Sequence, residues 1–422
     1  MGTLNAAVLT TYNDPAKWER FSRRVLADAH NPDTSQQLRT AFHMQVEPIA
    51  WVRENVDLKW LNPVRAGYGR MDAATNIGNT LFAIGLRDAG NFHPLKANVS
   101  IPSIWNAWKF DYVQFDASMV QPMARNIGQA LGSARNNFVK NGMPTSGPEK
   151  WKTSLDIENI AMIEQTLHTL EAPAWPEDML GRVDARLAER GRALFNDECG
   201  TCHGPTPIKG AGERQAMLAA TVIPQSRIGT DPVRTENASA ALFDTSKLSG
   251  VPGSPKMNMP ESTQLVVNGA KNYILDQSDV TPEEELKLVG NRPGLINFQS
   301  HRYKATTLDG VWATAPCLHN GSVPNIYELL SPVEQRSKQF WVGMGDYDPV
   351  RMGLGPKKND LGFLMDTAQL GNSNSGHEFR NESGPGVIGR LLSHEDRMAI
   401  IEYLKAMTTL TPATQPAKRL DW

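Results

Sequence analysis

Apolar and polar positions recur at helical spacing in several separate stretches of the chain, which predicts a mainly α fold. Near the N-terminus, Asp14 is a suitable N-cap and Pro15 suits the first helical turn, so a helix is expected over residues 15–29. Residues 158–170 form another amphipathic segment of helical period.

Two stronger helical segments lie in the second half of the chain. Residues 185–195 are rich in good helix formers, and Leu187, Leu194 and Phe195 share one face. Ser393 can cap a helix whose first turn is acidic. The residues that support this last helix are Glu395, Asp396, Met398, Ile401 and Leu404.

An irregular segment between the helical patterns divides the chain into two predicted domains. Pro173 and Pro176 bracket a short extended stretch there. We therefore expect an N-terminal domain over residues 1–171 and a C-terminal domain over residues 172–422. The C-terminal domain contains two long connections rich in Gly, Pro and Asn, which are expected to be functional or wrapped around a cofactor. They cover about residues 204–256 and 342–389.

Aromatic residues are concentrated in a segment with little periodicity, residues 91–116. A segment of this kind packs against a large, flat partner, or its side chains fill a core that consists mostly of loops. Its aromatic members are Phe92, Trp105, Trp108, Phe110, Tyr112 and Phe115.

The composition of the chain argues against several classes of protein. A chain of 422 residues with a net charge of −2 gives no indication of nucleic acid binding. No apolar run is long enough to cross a membrane, and residues 1–10 lack the basic start and apolar stretch of a signal peptide. Three cysteines in so long a chain argue against a disulfide framework.

The most informative motif is CxxCH, formed by Cys199, Cys202 and His203. Two thiols at this spacing can form thioethers with the vinyl groups of a haem from one turn, and the adjacent imidazole can ligate the iron. A redox dithiol or half of a zinc site is the alternative. The flanks supply no βαβ context for the former, and only Cys317 remains as a soft ligand for the latter. Cys317 itself is expected to be a small buried apolar residue.

Further segments in both halves of the chain match one known family. They are residues 69–73, 125–128, 303–306, 308–316, 318–330, 371–379 and 400–405. These segments resemble the dihaem cytochrome c peroxidase-like superfamily, and within it the branch that contains the bacterial rubber oxygenases. The resemblance implies two cytochrome c-like helical domains with long irregular loops.

The family carries two c-type haems, one in each domain, whereas this sequence contains a single CxxCH motif. In the family the first motif lies just before a segment similar to residues 3–26, so the resemblance places the missing motif upstream of Met1. We expect that the sequence starts late, which also accounts for the absent export signal; a branch that lost its first haem is the alternative. Covalent attachment of haem c implies a periplasmic or secreted protein.

His203 is the expected proximal ligand of the remaining haem, and the opposite ligand has three candidates. The resemblance implies His377, which would give two imidazole ligands and an iron suited to electron transfer. Met259 is the option suggested by small monohaem cytochromes. His319 is the third candidate, although the resemblance indicates a structural loop there.

In the oxygenase branch, oxygen binds to the N-terminal haem against aromatic residues, which implies Trp105 and Phe115 as catalytic candidates. Ordinary core packing is the alternative for both. Peroxidase relatives instead reduce hydrogen peroxide with electrons that pass from the C-terminal haem to the N-terminal one. The implied partners are a small redox donor and either peroxide, dioxygen or an unsaturated apolar substrate.

Three functional hypotheses follow for the chain as a whole. The first is a haem-dependent oxidoreductase of the peroxidase or dioxygenase type. The second is a noncatalytic electron carrier with one haem, but such carriers need only about a hundred residues to enclose it. The third is a remnant without cofactor chemistry, against which the intact CxxCH motif argues.

Overall fold

The computed structural model describes residues 2–119, 122–140, 142–204, 206–207, 218–248, 256–277, 281, 283, 301–343, 345–358 and 360–407. These residues form a mainly α structure with small two-stranded sheets, which confirms the predicted class. Within this part of the chain, no helix is long and apolar enough to cross a bilayer.

The helices of the N-terminal half are joined by connections of very different lengths. They are α1 (Gly2–Asn13), α2 (Pro15–Leu26), α3 (Pro32–Asn55), α4 (Leu58–Leu61), α5 (Ala73–Gly78), α6 (Pro122–Leu131) and α7 (Ile157–Leu167). A π-helical stretch, Asn79–Ile84, continues α5 directly.

The helices of the C-terminal half include several of a single turn. They are α8 (Glu177–Leu180), α9 (Ala185–Glu198), α10 (Gly200–His203), α11 (Gln225–Ile228), α12 (Val233–Ala240), α13 (Met259–Asp276), α14 (Ile326–Leu329) and α15 (His394–Ala406). Short 3-10 turns lie at Ala27–Ala29, Ala89–Asn91, Ala107–Lys109, Pro148–Trp151, Val311–Thr314 and Val333–Gln335.

Within the described part of the chain, the strands form two-stranded sheets only. The antiparallel pairs are β1 (Arg70–Met71) with β2 (Val99–Ser100), β3 (Val139–Lys140) with β4 (Met143–Pro144), β5 (Thr206–Pro207) with β6 (Leu218–Ala219), β7 (Val222–Pro224) with β10 (Arg302–Lys304), β8 (Leu242–Asp244) with β9 (Lys256–Asn258), β11 (Gln339–Val342) with β14 (Phe363–Asp366), and β12 (Tyr347–Asp348) with β13 (Gly353–Leu354). One parallel pair joins β15 (Glu378–Phe379) to β16 (Val387–Gly389).

Two buried clusters hold the fold together. The first core joins residues of the π-helical stretch, α6 and α7 to residues of β8 and α13, namely Leu81, Phe82, Leu86, Ile127, Leu131, Phe138, Ile157, Ala161, Ala241, Phe243, Leu248, Met259, Val266, Val267 and Ala270. The second core packs α9 against α15 and α14, and it comprises Trp175, Phe195, Ile326, Leu330, Met352, Phe379, Leu392, Ile400, Ile401 and Leu404.

The first core draws residues from both sides of the predicted division at residue 171. Residues 81–161 and 241–270 pack together in it, although the sequence between them contains α9 and the CxxCH motif. Residues 168–176 have no regular secondary structure, as the two prolines indicate. The division into residues 1–171 and 172–422 stays a prediction.

The two long connections are less irregular than the composition indicates. The first contains α11, α12 and strands β5 to β8, and the second contains strands β12 to β16. These elements are only a few residues long, so no extended periodicity marks them in the sequence. Residues 205 and 208–217 of the first connection, and its residues 249–255, lie outside the described residues.

Candidate functional site

The CxxCH motif occupies a single helical turn directly after α9. α9 ends at Glu198, and α10 runs from Gly200 to His203. The backbone carbonyl of Cys199 accepts hydrogen bonds from the amides of Cys202 and His203 at 3.1 and 2.9 Å, which closes the turn. The local backbone thus has the tight turn that the spacing predicts.

Both motif cysteines are free thiols in this structure, and burial raises the pKa of each. For Cys199 the pKa rises to about 12. A thioredoxin-type dithiol depends on a lowered thiol pKa, so these surroundings do not favour that alternative. Cys317, like Cys199, packs against the second core, where burial raises the pKa of the Cys317 thiol to about 12.

The imidazole of His203 is oriented by a backbone carbonyl. Its Nδ1 donates a hydrogen bond to the carbonyl oxygen of Thr306 at 2.7 Å. This bond selects the tautomer in which Nε2 carries the free lone pair, as metal-ligating histidines require. Burial lowers the pKa of His203, which keeps the ring neutral.

A second imidazole, that of His377, lies close to the ring of His203. The two ring centroids are 6.2 Å apart, with an angle of 65° between the ring planes. Nδ1 of His377 is buried and has no hydrogen-bond partner among the described residues. Burial, together with the neighbouring His203 and Arg336, lowers the pKa of His377 to about 3, so this imidazole is neutral as well.

The spacing of the two rings fits a haem held between them. A ligating imidazole nitrogen lies about 2.0 Å from its metal and the ring centre roughly 1.1 Å behind it, so two axial imidazoles on one iron have centres about 6.2 Å apart. The observed centroid separation is 6.2 Å. If a haem were bound here, His203 and His377 are the two residues that would ligate its iron.

His377 stands on a strained and closely packed loop. Its backbone φ is +47°, and the preceding Gly376 has φ +71°. A Cβ on Gly376 would lie 2.2 Å from the carbonyl carbon of Gly229, and the amide of His377 donates to the carbonyl of Ile228 at 2.8 Å. Such left-handed conformations at a non-glycine residue persist only where the surroundings enforce them, and they are concentrated at functional sites.

The other two ligand candidates lie elsewhere. His319 stacks on Tyr303 with ring centroids 4.3 Å apart and meets the edge of Phe115 at 6.3 Å. Met259 is buried in the first core at the start of α13. Of the three candidates, His377 is the one whose side chain the structure brings to His203.

A separate, partly open cavity lies beside the first core. Its lining is mostly small and apolar, with Ala73, Ala97, Gly128 and Met259 among its members. The cavity therefore favours an apolar occupant.

The charged groups that line this cavity are compensated inside the protein. The carboxylate of Asp116 pairs with Arg234 at 2.7 Å, and Arg125 pairs with Glu164 at 3.1 Å. Asp72 accepts hydrogen bonds from two backbone amides, at 3.0 and 3.2 Å. Because each charge has a partner, the lining carries little net field.

The structure separates the two aromatic candidates for catalysis. Phe115 lines the cavity from a loop in which Gln114 and Ala117 both have positive φ, +70° and +53°. Trp105 instead packs beside Gly310, and its indole nitrogen donates to the carbonyl of Asp309 at 2.8 Å. Trp105 is not among the residues that line the cavity.

One apolar cluster connects the motif to the cavity, and we call it the bridging cluster. Its members are Ile223, Ile228, Tyr303, Phe115, Cys202, Ala305 and Ile388. Cys202 comes from the motif and Phe115 from the cavity wall. The amide of Lys304 also donates to the carbonyl of Phe115 at 2.7 Å, which anchors the cavity loop to β10. The motif and the cavity are therefore in direct structural continuity.

Two residues that position the histidines were not candidates at the level of sequence. Thr306 acts through its carbonyl oxygen, which any residue possesses, and its one signal is its place in the matching segment 303–306. Arg336 acts on the backbone of the His377 loop. An isolated arginine has no local pattern that would reveal this role.

Comparison with known proteins agrees with the motif. Residues 302–342 match the family profile described as RoxA-like, cytochrome c-like, which indicates a c-type haem protein. The chain is 35% identical over 439 residues to the uncharacterized protein y4iJ of Sinorhizobium fredii, an alignment that spans 95% of this chain and 70% of that protein. It is 29% identical over 335 residues to the uncharacterized protein y4iM of the same organism, with 74% of this chain and 65% of that protein covered. The chain belongs to the family of y4iJ, and its RoxA-like, cytochrome c-like segment relates it to the rubber oxygenases and dihaem cytochrome c peroxidase-like proteins.

Proposed function

We propose that this protein is a c-type haem oxidoreductase. Cys199 and Cys202 would hold the haem covalently, and His203 and His377 would ligate its iron. The observation that carries this proposal is the pair of neutral, half-buried imidazoles with centroids 6.2 Å apart, one of them on a CxxCH turn. A haem with two imidazole ligands supplies one-electron transfer.

The protein's own groups prepare this site in two ways. The Thr306 carbonyl holds the proton of His203 on Nδ1 and so leaves Nε2 free. Burial keeps His203 and His377 neutral, since a protonated imidazole cannot ligate. Both groups are thus organised for electron transfer rather than for binding a substrate at this position.

We place the chemistry on peroxide or dioxygen at the cavity, which is lined by residues 72–129 and 234–263. Its compensated charges and apolar lining suit a nonpolar reactant or an unsaturated apolar substrate. Phe115 forms part of its wall. The bridging cluster, which contains both Cys202 and Phe115, supports electron transfer between the two regions.

Replacing Phe115 by alanine is expected to change turnover at the cavity by about tenfold or more, because removal of a wall residue loosens the position of the reactant. Steady-state turnover with peroxide and a reduced donor, and oxygen uptake with an unsaturated apolar substrate, measure this effect. Trp105→Ala is the matched control, since Trp105 packs outside the cavity. Equal effects of both substitutions would exclude a specific role for Phe115.

A pyridine haemochrome assay on the native gene product tests the proposed function. We expect covalent haem that survives denaturation, and we expect the Cys199→Ala/Cys202→Ala double variant to lose it. Cys317→Ala is the control, because Cys317 is the one cysteine outside the CxxCH turn and its loss should leave attachment intact. Absence of covalent haem from the wild-type protein would overturn the proposal.

The paired imidazoles also suit a noncatalytic electron carrier, and turnover separates this second function from the first. A haem-loaded protein that turns over neither peroxide nor dioxygen would be a carrier. Turnover of either would establish the enzyme, whose donor we take to be a small redox protein. We propose a periplasmic or secreted location, because covalent attachment of haem c implies one.

A further inference from the structure

Arg336 is a buried guanidinium that uses all of its donors on backbone carbonyls. Its Nη1 donates to the carbonyls of Asn374 and Gly376 at 2.5 and 2.9 Å, and its Nη2 donates to those of His377 and Leu329 at 2.9 and 3.1 Å. Its Nε is shared between the carbonyls of Glu328 and Ser331, at 3.2 and 3.3 Å. The side chain is only 2% exposed.

These six acceptors belong to two segments that are distant in sequence. Three carbonyls come from residues 374–377, the loop that carries His377, and three come from residues 328–331, at the end of α14. α14 contributes Ile326 to the second core, which gives the far side of this clamp a rigid support. Arg336 thus fastens the His377 loop to the packed core.

No ion pair accounts for the burial of Arg336. Within the described residues, no carboxylate lies at ion-pair distance from its guanidinium, so the carbonyl oxygens make its close contacts, while Glu378, Glu328 and Glu334 favour its charge from farther away. Burial lowers the pKa of Arg336 to about 10, which leaves it protonated at neutral pH. Removing a charged group from water costs free energy. The burial of this guanidinium against backbone carbonyls therefore indicates that the geometry it imposes on the loop is needed.

The opposite side of the loop is held by glycine packing. Gly376 contacts the backbone of Gly229, and Gly229 in turn contacts Gly386. A Cβ added to Gly229 would lie 2.5 Å from the Cα of Gly386. The loop therefore lies between backbone on one side and Arg336 on the other. Loss of Arg336 frees one side of a loop in which His377 has a positive φ, and relaxation of that strain moves the imidazole.

We propose that Arg336 is a positioning residue that holds His377 at the haem iron. The inference rests on the proposed role of His377 as a ligand. It assigns to Arg336 the geometry of the loop, because a planar fork of five donors can bridge two segments of backbone and a single ammonium cannot.

The spin state of the ferric haem in variants of the holoprotein tests this role. Arg336→Met is expected to raise the high-spin fraction by about tenfold or more, because several charge-assisted hydrogen bonds to the loop are lost. Added imidazole should restore the low-spin spectrum, since the iron would have an open position. Arg336→Lys keeps the charge but not the fork, so we expect it to show the same change to a smaller extent.

Arg397→Met is the matched control. Arg397 is also a buried arginine of this region, 7% exposed, but it donates to the Ser331 hydroxyl rather than to the His377 loop. Its loss should lower thermal stability and leave the spin state unchanged. If Arg336→Met accumulates no holoprotein, the comparison of Arg336→Lys with Arg397→Met decides.

The outcomes separate this inference from the proposed function. A His377→Ala variant that becomes high-spin, beside Arg336→Met and Arg336→Lys variants that stay low-spin, would overturn the role of Arg336 and leave His377 as the ligand. A His377→Ala variant that stays low-spin would overturn the ligand itself. A high-spin shift in Arg397→Met equal to that in the Arg336 variants would reduce Arg336 to a general stabilising residue.

Discussion

His377→Ala is expected to convert the ferric haem of this protein from a low-spin to a high-spin spectrum. The substitution removes one of the two imidazoles whose centroids lie 6.2 Å apart, and the iron then keeps His203 as its protein ligand. The change should be nearly complete, because no second imidazole contacts the ring of His203 in the described part of the chain. Absorbance spectroscopy of the purified holoprotein measures it, and added imidazole should reverse it.

His394→Ala is a suitable control for this experiment. His394 begins α15 and hydrogen bonds through Nδ1 to the hydroxyl of Tyr327 at 2.9 Å, so it lies in the same region without facing His203. Its loss should leave the low-spin spectrum unchanged. A low-spin spectrum that persists in His377→Ala would remove His377 as a ligand, and Met259→Ala and His319→Ala would then decide between the remaining candidates.

The helices were predictable where capping residues coincide with an amphipathic pattern. Asp14 caps α2 by accepting hydrogen bonds from two backbone amides, and Ser393 caps α15 by accepting one from the amide of Asp396. The helix predicted over residues 158–170 begins one residue earlier and ends at Leu167. Asp156 caps its start, while its last predicted turn continues as non-helical turns. Local chemistry thus determines the starts of these helices better than their ends.

The candidate site was predictable only in part. One half is formed by consecutive residues, whereas the other depends on contacts between residues that are distant in sequence. The CxxCH turn is local, and its backbone follows from five consecutive residues. The place of His377 depends on Gly229, some 150 residues away, and on Arg336, through contacts with backbone atoms that carry no sequence signature. The resemblance to a known family supplied His377 as a candidate, whereas the means by which the loop is held came from the structure.

The cavity was the least predictable feature. Its lining combines residues 72–129 with residues 234–263, which the pattern of helices assigns to different domains. Phe115 was one of six aromatic residues in a segment without periodicity, and no local property distinguishes it from Trp105. Only the pairing of the Phe115 carbonyl with Lys304 of β10 shows why its loop is placed at the cavity.

Where α9 crosses α15, a single added carbon atom is expected to lower the stability of the fold. These two helices frame the second core, and Phe195 of α9 packs against Tyr403 of α15 with ring centroids 5.2 Å apart. Gly191 allows the close approach, because a Cβ there would lie 1.9 Å from the carbonyl oxygen of Ala399 and 2.9 Å from the Cβ of Tyr403. The first of these atoms is backbone in the middle of α15, so no side-chain rotation relieves the overlap.

Gly191→Ala is therefore expected to lower the free energy of unfolding of this region by about 3 kcal/mol or more, as overpacking of a close helix contact does. Thermal unfolding of the holoprotein followed by circular dichroism and haem absorbance measures the loss. Gly200→Ala is the matched control, because a Cβ at that position would meet its nearest atom, the carbonyl oxygen of Phe195, at 3.6 Å, an ordinary contact. That variant should be as stable as the wild type or slightly more so, since alanine favours a helix over glycine. Equal stability of Gly191→Ala and Gly200→Ala would contradict the close crossing, and with it the packing that presents the CxxCH turn at the end of α9.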